Sequence, residues 1–466
     1  MQKNVYGADG MQHKRTMSIA IEHFGPILRG KIELKPLTLF VGPNGCGKSH
    51  AATLLYTISR LEQDYERARF FGRGIPISEQ IKKEATSLEK KRQNRKNKII
   101  RTEILSKLAN PETDLKRMFR DNFGVPNKEL IQKGQSRASL RIRTRKHDNI
   151  RIDLTASKIG VQGVSPPSIK VLFDNQGEGR PDAREDDGLG AAAPIRVPPQ
   201  GGLFEIYDAL IRRIIRSHDE GYNVYYFPAE RAGLMLAYKP LTDYYIGHPG
   251  TRRYSAGMPA VATDYLRFLN SLPSEQGAFA SIANDAEKTI LRGEVTANGQ
   301  HSRADIYFQE SRNKFPLRMA ASSVKDLAAF FLYLKFVAEK NDLVVLEEPE
   351  TNLHPKNQIE LAKFIARLIN CGLYIVLTTH SPYFLEQLSH CIMSGQAHRT
   401  DSNDVLPAEE SLSPDMVAAY KFESIKKHYK ITRMGITSEG IPQDEFLSID
   451  DGMYLELSRL RQANGE

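Results

Sequence analysis

Cysteine is scarce in this chain, with three among 466 residues, at Cys46, Cys371 and Cys391. Their spacing fits no metal-ligand pattern and provides no disulfide framework, so a reducing, cytoplasmic compartment is the expected setting. Long apolar runs are also missing: none approaches the ~20 residues of a membrane-spanning helix, and no secretory signal is visible. No membrane partner is therefore expected. No segment repeats with a period of roughly 20 to 50 residues, which excludes solenoids and propellers. Zinc-finger and RNA-recognition signatures are lacking too, so sequence-specific nucleic-acid reading by those modules is not expected. Acidic residues are outnumbered, 56 against 65 Lys and Arg, for a net charge of +9. What is present is length beyond one average domain and 40% hydrophobic residues, enough for a sizeable core.

The most specific feature is Gly42-Pro43-Asn44-Gly45-Cys46-Gly47-Lys48-Ser49, a G-x-x-x-x-G-K-[ST] phosphate loop. Glycines let successive backbone N–H groups turn toward phosphate oxygens, Lys48 supplies positive charge, and the Ser49 hydroxyl can ligate Mg²⁺. The context agrees. Leu37–Val41 reads as a strand before the loop, and 51–56 continues as a helix after it, which is the setting the motif needs. A nucleoside triphosphate, ATP or GTP, and Mg²⁺ are implied, and the resemblance named below selects ATP. Cys46 lies inside the loop as a small, passive side chain, or as a redox-sensitive one.

A second constellation lies about three hundred residues downstream. Leu343–Leu346 reads as a buried strand ending in Glu347-Glu348-Pro349-Glu350. Phosphoryl transfer to water needs one acid to hold the metal ion and another to orient the attacking water. Glu347 fits the first role and Glu348 the second. The plain alternative is an acidic, solvated turn.

Together, Glu347-Glu-Pro-Glu-Thr-Asn-Leu-His-Pro355 and Leu377-Thr-Thr-His-Ser-Pro382 resemble the ATPase domain of OLD-type proteins, within the wider ABC and SMC class. The resemblance implies an α/β fold of ABC type: a P-loop ATPase with a mixed sheet and a helical insertion between the lobes. It further implies that Thr351–His354 is the D-loop and that His380, at the end of strand 373–377, senses the γ-phosphate. The signature falls on Ala321–Leu327, where Ser322 or Ser323 at a helix N-terminus would cap a nucleotide held by a second protomer. Val324 stands where glycine is common, and the plain reading is a serine N-cap. Other departures are Glu347 in place of aspartate, His354 in the D-loop, and His50 after the phosphate loop where Thr or Ser is common, a position still assigned to nucleotide contact. Segment Tyr225–Arg231 recurs in relatives and could bring Glu230 and Arg231 to the catalytic face, or form a structural salt bridge.

Composition divides the rest. Residues 1–16 read as a mobile tail, 17–58 and 123–400 as the split ATPase domain, 59–122 as a basic helical insertion, and 401–466 as a small C-terminal extension. The insertion is interrupted by Gly72, Gly74, Pro76 and Pro111, which predicts a compact hairpin or bundle. It carries Lys90, Lys91, Arg92, Arg95, Lys96, Lys98 and Arg101. A second basic stretch holds Arg137, Arg141, Arg143, Arg145, Lys146 and Arg151 on alternating strands. Phosphate contacts with duplex DNA and a docking surface for an acidic protein both remain open for it. Residues 160–202 read as a long loop, 203–217 as a helix, and 232–300 as mostly helical.

Many OLD proteins carry a Toprim nuclease after the ATPase. Glu439, Gly440 and Asp444 superficially resemble its opening, but only Asp450-Asp451 follows, so a self-contained nuclease is not expected. The resemblance then narrows to ATPase subunits of antiphage systems such as Septu, PARIS and the retron-associated ATPases. It implies an ATP-dependent dimer or higher oligomer controlling a separate nuclease or toxin effector. The alternatives are a DNA-clamping ATPase similar to RecF and SMC proteins, and an ATP-glued scaffold with negligible turnover.

Overall fold

The computed structural model describes residues 17–71, 99–102, 111–144, 150–162, 169–173, 195–197, 223–237, 258–298, 305–397, 406–437 and 439–442, with isolated positions at 86, 87, 90, 456, 457, 459 and 460. In chain order the strands are β1 (Met17–Phe24), β2 (Ile27–Leu34) and β3 (Leu37–Val41), followed by helix α1 (Lys48–Phe71). Then come β4 (Ile99–Thr102), α2 (Pro111–Phe123), β5 (Arg137–Thr144), β6 (Ile150–Thr155), β7 (Ile159–Gln162), β8 (Ile169–Phe173), β9 (Ile195–Val197) and β10 (Val224–Phe227). Helices α3 (Ala260–Asn270) and α4 (Ala280–Ile290) lead to β11 (Glu294–Asn298), β12 (Asp305–Glu310) and β13 (Asn313–Pro316). The last stretch holds α5 (Ser322–Phe336), β14 (Leu343–Glu347), α6 (Pro355–Asn370), β15 (Tyr374–Thr379), α7 (Pro382–Ala397), β16 (Val417–Ile425) and β17 (His428–Met434).

Eleven strands form one sheet in the order β10-β14-β15-β3-β16-β17-β2-β1-β5-β6-β7. The first five are mutually parallel. From β16 onward the sheet becomes an antiparallel wing, apart from the parallel β17–β2 pair. The expected α/β fold with a mixed sheet is the one observed. Residues of β3 alternate between two cores: Leu37, Leu39 and Val41 face one, while Phe40 joins the other with Ala51, Leu54 and Leu55 of α1. Every residue of β3, β14 and β15 is buried, as a parallel strand covered by helices on both faces requires.

Several boundaries differ from the composition reading. Helix α1 runs to Phe71, so the boundary at 58–59 falls in mid-helix. Phe119 and Phe123 of α2 pack on Phe24 of β1, so this part of the chain joins the core of the main sheet rather than a separate bundle. Pro111 opens α2 instead of interrupting it, because its fixed φ and missing N–H suit a first helical position. The 160–202 stretch, expected as loop, contributes β7, β8 and β9, of which β8 and β9 form a small sheet with β4.

The largest correction concerns residues 401–466. Strand β16 lies directly beside the phosphate-loop strand β3, with Lys421 opposite Val41, so the C-terminal segment supplies two interior strands of the main sheet. Ala418, Ala419, Tyr420 and Phe422 are buried there, and that burial drives the insertion. The 1–16 tail, most of the first basic cluster, Arg145 and Lys146, and the 203–217 helix lie outside the described residues. Among the described residues no helix is long and apolar enough to cross a membrane.

Candidate functional site

Strands β3, β14 and β15 end at the same carboxyl edge, with Val41 paired to Thr379 and Glu347 to Thr378. Loops leaving that edge carry the phosphate loop, the Glu347–Glu350 run and His380. In parallel sheets such an edge is where ligands bind.

In the phosphate loop, Gly45 and Gly47 have φ of +74° and +100°. At Gly47 a Cβ would lie 2.8 Å from Pro26 Cγ, so both backbone angle and space demand glycine. The Lys48 ammonium is held inside the loop, donating to Gly42 O at 2.7 Å and Pro43 O at 2.8 Å. Pro43, Asn44, Gly45 and Ser49 are exposed, whereas Cys46 is fully buried. His50 turns the other way. Its ring packs against Phe123 and the Gly25 turn, and burial pushes its imidazole below the usual range. Its side chain is a packing group beside the loop.

Glu347 is buried at 4% exposure. Burial raises its carboxyl above the usual range, while the Ser49 hydroxyl and the Ala229 N–H, 3.3 Å from Oε2, pull it back down. Oε1 is enclosed and accepts no hydrogen bond. A buried carboxylate oxygen without a donor, beside a serine hydroxyl, fits a hard cation. Mg²⁺ usually takes only one or two protein oxygens and completes its shell with phosphates and water.

Glu348 lies in the left-handed region, φ +42°. Its N–H donates to Thr378 O at 3.0 Å and Thr378 Oγ1 at 3.1 Å, which turns the side chain out of the strand line. Oε2 then stands 3.6 Å from His380 Nε2, both groups partly open to solvent. A strained, non-glycine carboxylate at a strand end is the kind of outlier that clusters at active sites.

Sequence reasoning gave Glu350 no role. It is buried at 4%, and Oε1 accepts from Thr379 Oγ1 at 2.6 Å and from the His380 N–H at 3.1 Å, fixing the backbone at His380. Its place in the Glu-Glu-Pro-Glu run was the available signal. His354, in the expected D-loop, caps α6, its Nδ1 accepting from Lys356 N at 3.3 Å.

The signature candidate opens α5 as expected, but the N-cap is Ala321 and neither serine hydroxyl caps the helix. The serine-cap reading is thereby corrected. Ser322 is exposed and Ser323 half-buried, so both hydroxyls and the first N–H groups of α5 can meet something outside. Arg231 forms no salt bridge among the described residues; it is fully buried and donates to backbone carbonyls at the end of β14.

Residues 260–385 match the AAA ATPase domain family. That AAA ATPase match spans α3 to the start of α7 and includes the acidic strand end and His380, while the phosphate loop lies N-terminal to it. No curated protein matches the chain. Among solved structures, the chain is similar to an SMC head bound to the C-winged helix domain of ScpA, at 11% identity over 90% of this chain and 98% of that one, TM-score 0.40. It is also similar to the SMC head domain from Thermotoga maritima, at 11% identity over 91% and 100%, TM-score 0.36. A third is the SMC head with extended coiled coil, bound to the C-terminal domain of ScpA, from Pyrococcus furiosus, at 11% over 94% and 100%, TM-score 0.40. Phosphate loop, acidic strand end and histidine leave three adjacent parallel strands of the mixed sheet, beside an antiparallel wing.

Proposed function

We propose that this chain binds and hydrolyses ATP as an ABC-type ATPase that dimerises across the nucleotide. We further propose that it acts as the sensor or regulatory subunit of a bacterial antiphage system, controlling a separate nuclease or toxin. The observation that carries the ATPase reading is the convergence of Lys48, Glu347, Glu348 and His380 at one sheet edge. The regulatory role rests on the sequence resemblance.

In this reading the phosphate-loop N–H groups and the Lys48 ammonium bind the β and γ phosphates. Ser49 and Glu347 hold Mg²⁺, which when bound offsets phosphate charge and orients the oxygens. Glu348 accepts a hydrogen bond from the attacking water and aligns it, and His380 Nε2 beside it registers the γ-phosphate. Ser322, Ser323 and the α5 N-terminus face the nucleotide of a second protomer, so loss of the γ-phosphate weakens the contact between the two.

DNA clamping is the second reading, and one observation favours it. Lys31, Ala20, Arg141 and Arg151 lie opposite one another across β2, β1, β5 and β6, so their three cations share the outer face of the wing. Arg29, Arg137 and Arg143 lie in the alternating positions of that face. Glu22 and Asp153 offset part of the charge through ion pairs to Arg141 and Arg151.

The deciding experiment measures ATP turnover and assembly mass for wild type, Lys48→Ala and Glu348→Gln, with and without duplex DNA. The proposal expects Glu348→Gln to lose turnover yet stay assembled in ATP, and Lys48→Ala to lose both. Turnover stimulated by DNA alone, without a partner protein, would favour the clamp. Assembly in ATP with no turnover in wild type would leave a scaffold.

A further inference from the structure

Arg231 has no exposed surface, 0%, and its charge is spent on main-chain oxygens. Nε donates to Asp326 O at 2.7 Å, Nη2 to Glu348 O at 2.8 Å, and Nη1 to Pro228 O at 3.1 Å and to Glu347 O. Its own carbonyl accepts from Tyr265 Oη at 3.3 Å, which ties the residue to α3. One side chain thus joins the end of β10, the end of β14 and the first turns of α5.

A second strut runs beside it. Asn352 Nδ2 donates to Asp326 Oδ2 at 2.8 Å, and Asp326 is itself buried at 2%. Glu348 and Asn352 are both non-glycine residues in the left-handed region, at φ +42° and +60°. Such residues persist only where their surroundings fix them. Here the surroundings are specific: the Glu348 N–H is held by Thr378, the Glu348 carbonyl by Arg231, and the Asn352 side chain by Asp326.

We infer that Arg231 is a positioning residue: with Asp326 and Asn352 it locks the Glu348 strand end to the first turns of α5. The strand end that aligns water and the helix N-terminus offered to a second protomer then move as one unit. The inference rests on the proposed ATPase reading. Lysine cannot replace the fork, because a single ammonium cannot reach carbonyls on three separate elements at once.

The test uses the full chain and the variants Arg231→Lys, Asn352→Gly and their combination. Asn352→Gly keeps the left-handed backbone available and removes only the side-chain strut. Steady-state turnover, equilibrium ATP affinity and Tm are measured for each. The expected result is a fall in kcat of about tenfold or more for each single variant, since small misplacements of a catalytic group cost that much. ATP affinity stays within about threefold, and the double variant is no worse than the stronger single one, as members of one network behave.

Unchanged kcat in the folded variants overturns the inference. So does a parallel fall of kcat, affinity and Tm, which is the pattern of a merely structural brace. If Arg231→Lys does not fold, Asn352→Gly decides alone, and its full turnover overturns the inference. Failure of the ATPase reading itself looks different, because wild type then shows no turnover at all.

Discussion

Glu348 Oε2 faces His380 Nε2 across 3.6 Å, the two side chains leaving the carboxyl ends of the adjacent parallel strands β14 and β15. The Glu348 N–H on Thr378 and the Glu350 carboxylate on the His380 N–H hold the two backbones from either side. These bonds fix where the two side chains leave the backbone. The proposed roles, a carboxylate that aligns water and a histidine that reads the γ-phosphate, call for this proximity.

Glu348→Gln keeps the shape and removes the acceptor charge, so kcat should fall by at least about a hundredfold with ATP affinity retained. Glu350→Gln acts one step removed: it weakens the hold on His380 and should lower kcat by a smaller factor. Single-turnover hydrolysis alongside equilibrium ATP binding separates these outcomes. Wild-type turnover in Glu348→Gln would assign the water-aligning role to another carboxylate.

Gly47→Ala combines φ of +100° with a Cβ 2.8 Å from Pro26 Cγ. The loop must open to admit the methyl group, at a cost of about 1–3 kcal/mol. ATP affinity should fall at least about tenfold while the rest of the sheet stays folded, which far-UV circular dichroism with ATP titration would detect. Gly45→Ala, with nothing near its Cβ, meets only the backbone penalty at φ +74° and should be the milder change.

Asp342 is buried at 1%, and its carboxyl is pushed up to about 6 by burial, against hydrogen bonds from Asn223 N, Glu339 N and Tyr333 Oη. A carboxyl with a raised pKa binds its proton more tightly in the folded state. Its contribution is therefore fully present below about pH 4 and is lost as pH rises through about 6. Chemical denaturation from pH 4 to 7 should show wild type losing on the order of 3 kcal/mol relative to Asp342→Asn. Parallel pH curves for the two proteins would contradict this.

Lys335 and Glu287 form an ion pair at 2.5 Å, with side-chain exposures of 1% and 0%. Lys335 also donates to Val295 O at 2.8 Å and Glu287 accepts from Val295 N at 2.9 Å, so the pair pins β11 between α4 and α5. Lys335→Met strands a buried carboxylate and should cost about 3–5 kcal/mol. Adding Glu287→Gln should recover much of that loss. A thermal-denaturation double-mutant cycle measures both, and additive effects would show that the two residues act independently.

The phosphate loop, the β14 strand end and the placement of His380 were legible in the sequence because each is local. A glycine spacing, a short apolar run and an acidic tetrapeptide fix their own backbone surroundings wherever the chain carries them. The start of α5 was legible too, although its cap was not, because capping depends on a side-chain rotamer.

Relationships between distant segments were decided only by tertiary structure. Residues 401–466 read only as a small extension, and nothing local says that β16 pairs with β3, whose open flank only the assembled sheet defines. Arg231 read as a residue of the catalytic face or as half of a salt bridge, yet the fold brings four carbonyls within its reach and no residue spacing encodes them. His50 follows the phosphate loop by one position but faces Phe123, because a helix turns each successive side chain by about 100° and the core on that side takes the ring. The residue types at the carboxyl edge of the sheet could be named from local sequence. Long-range burial decided which backbones hold that chemistry in place, since such contacts form only once the chain has closed on itself.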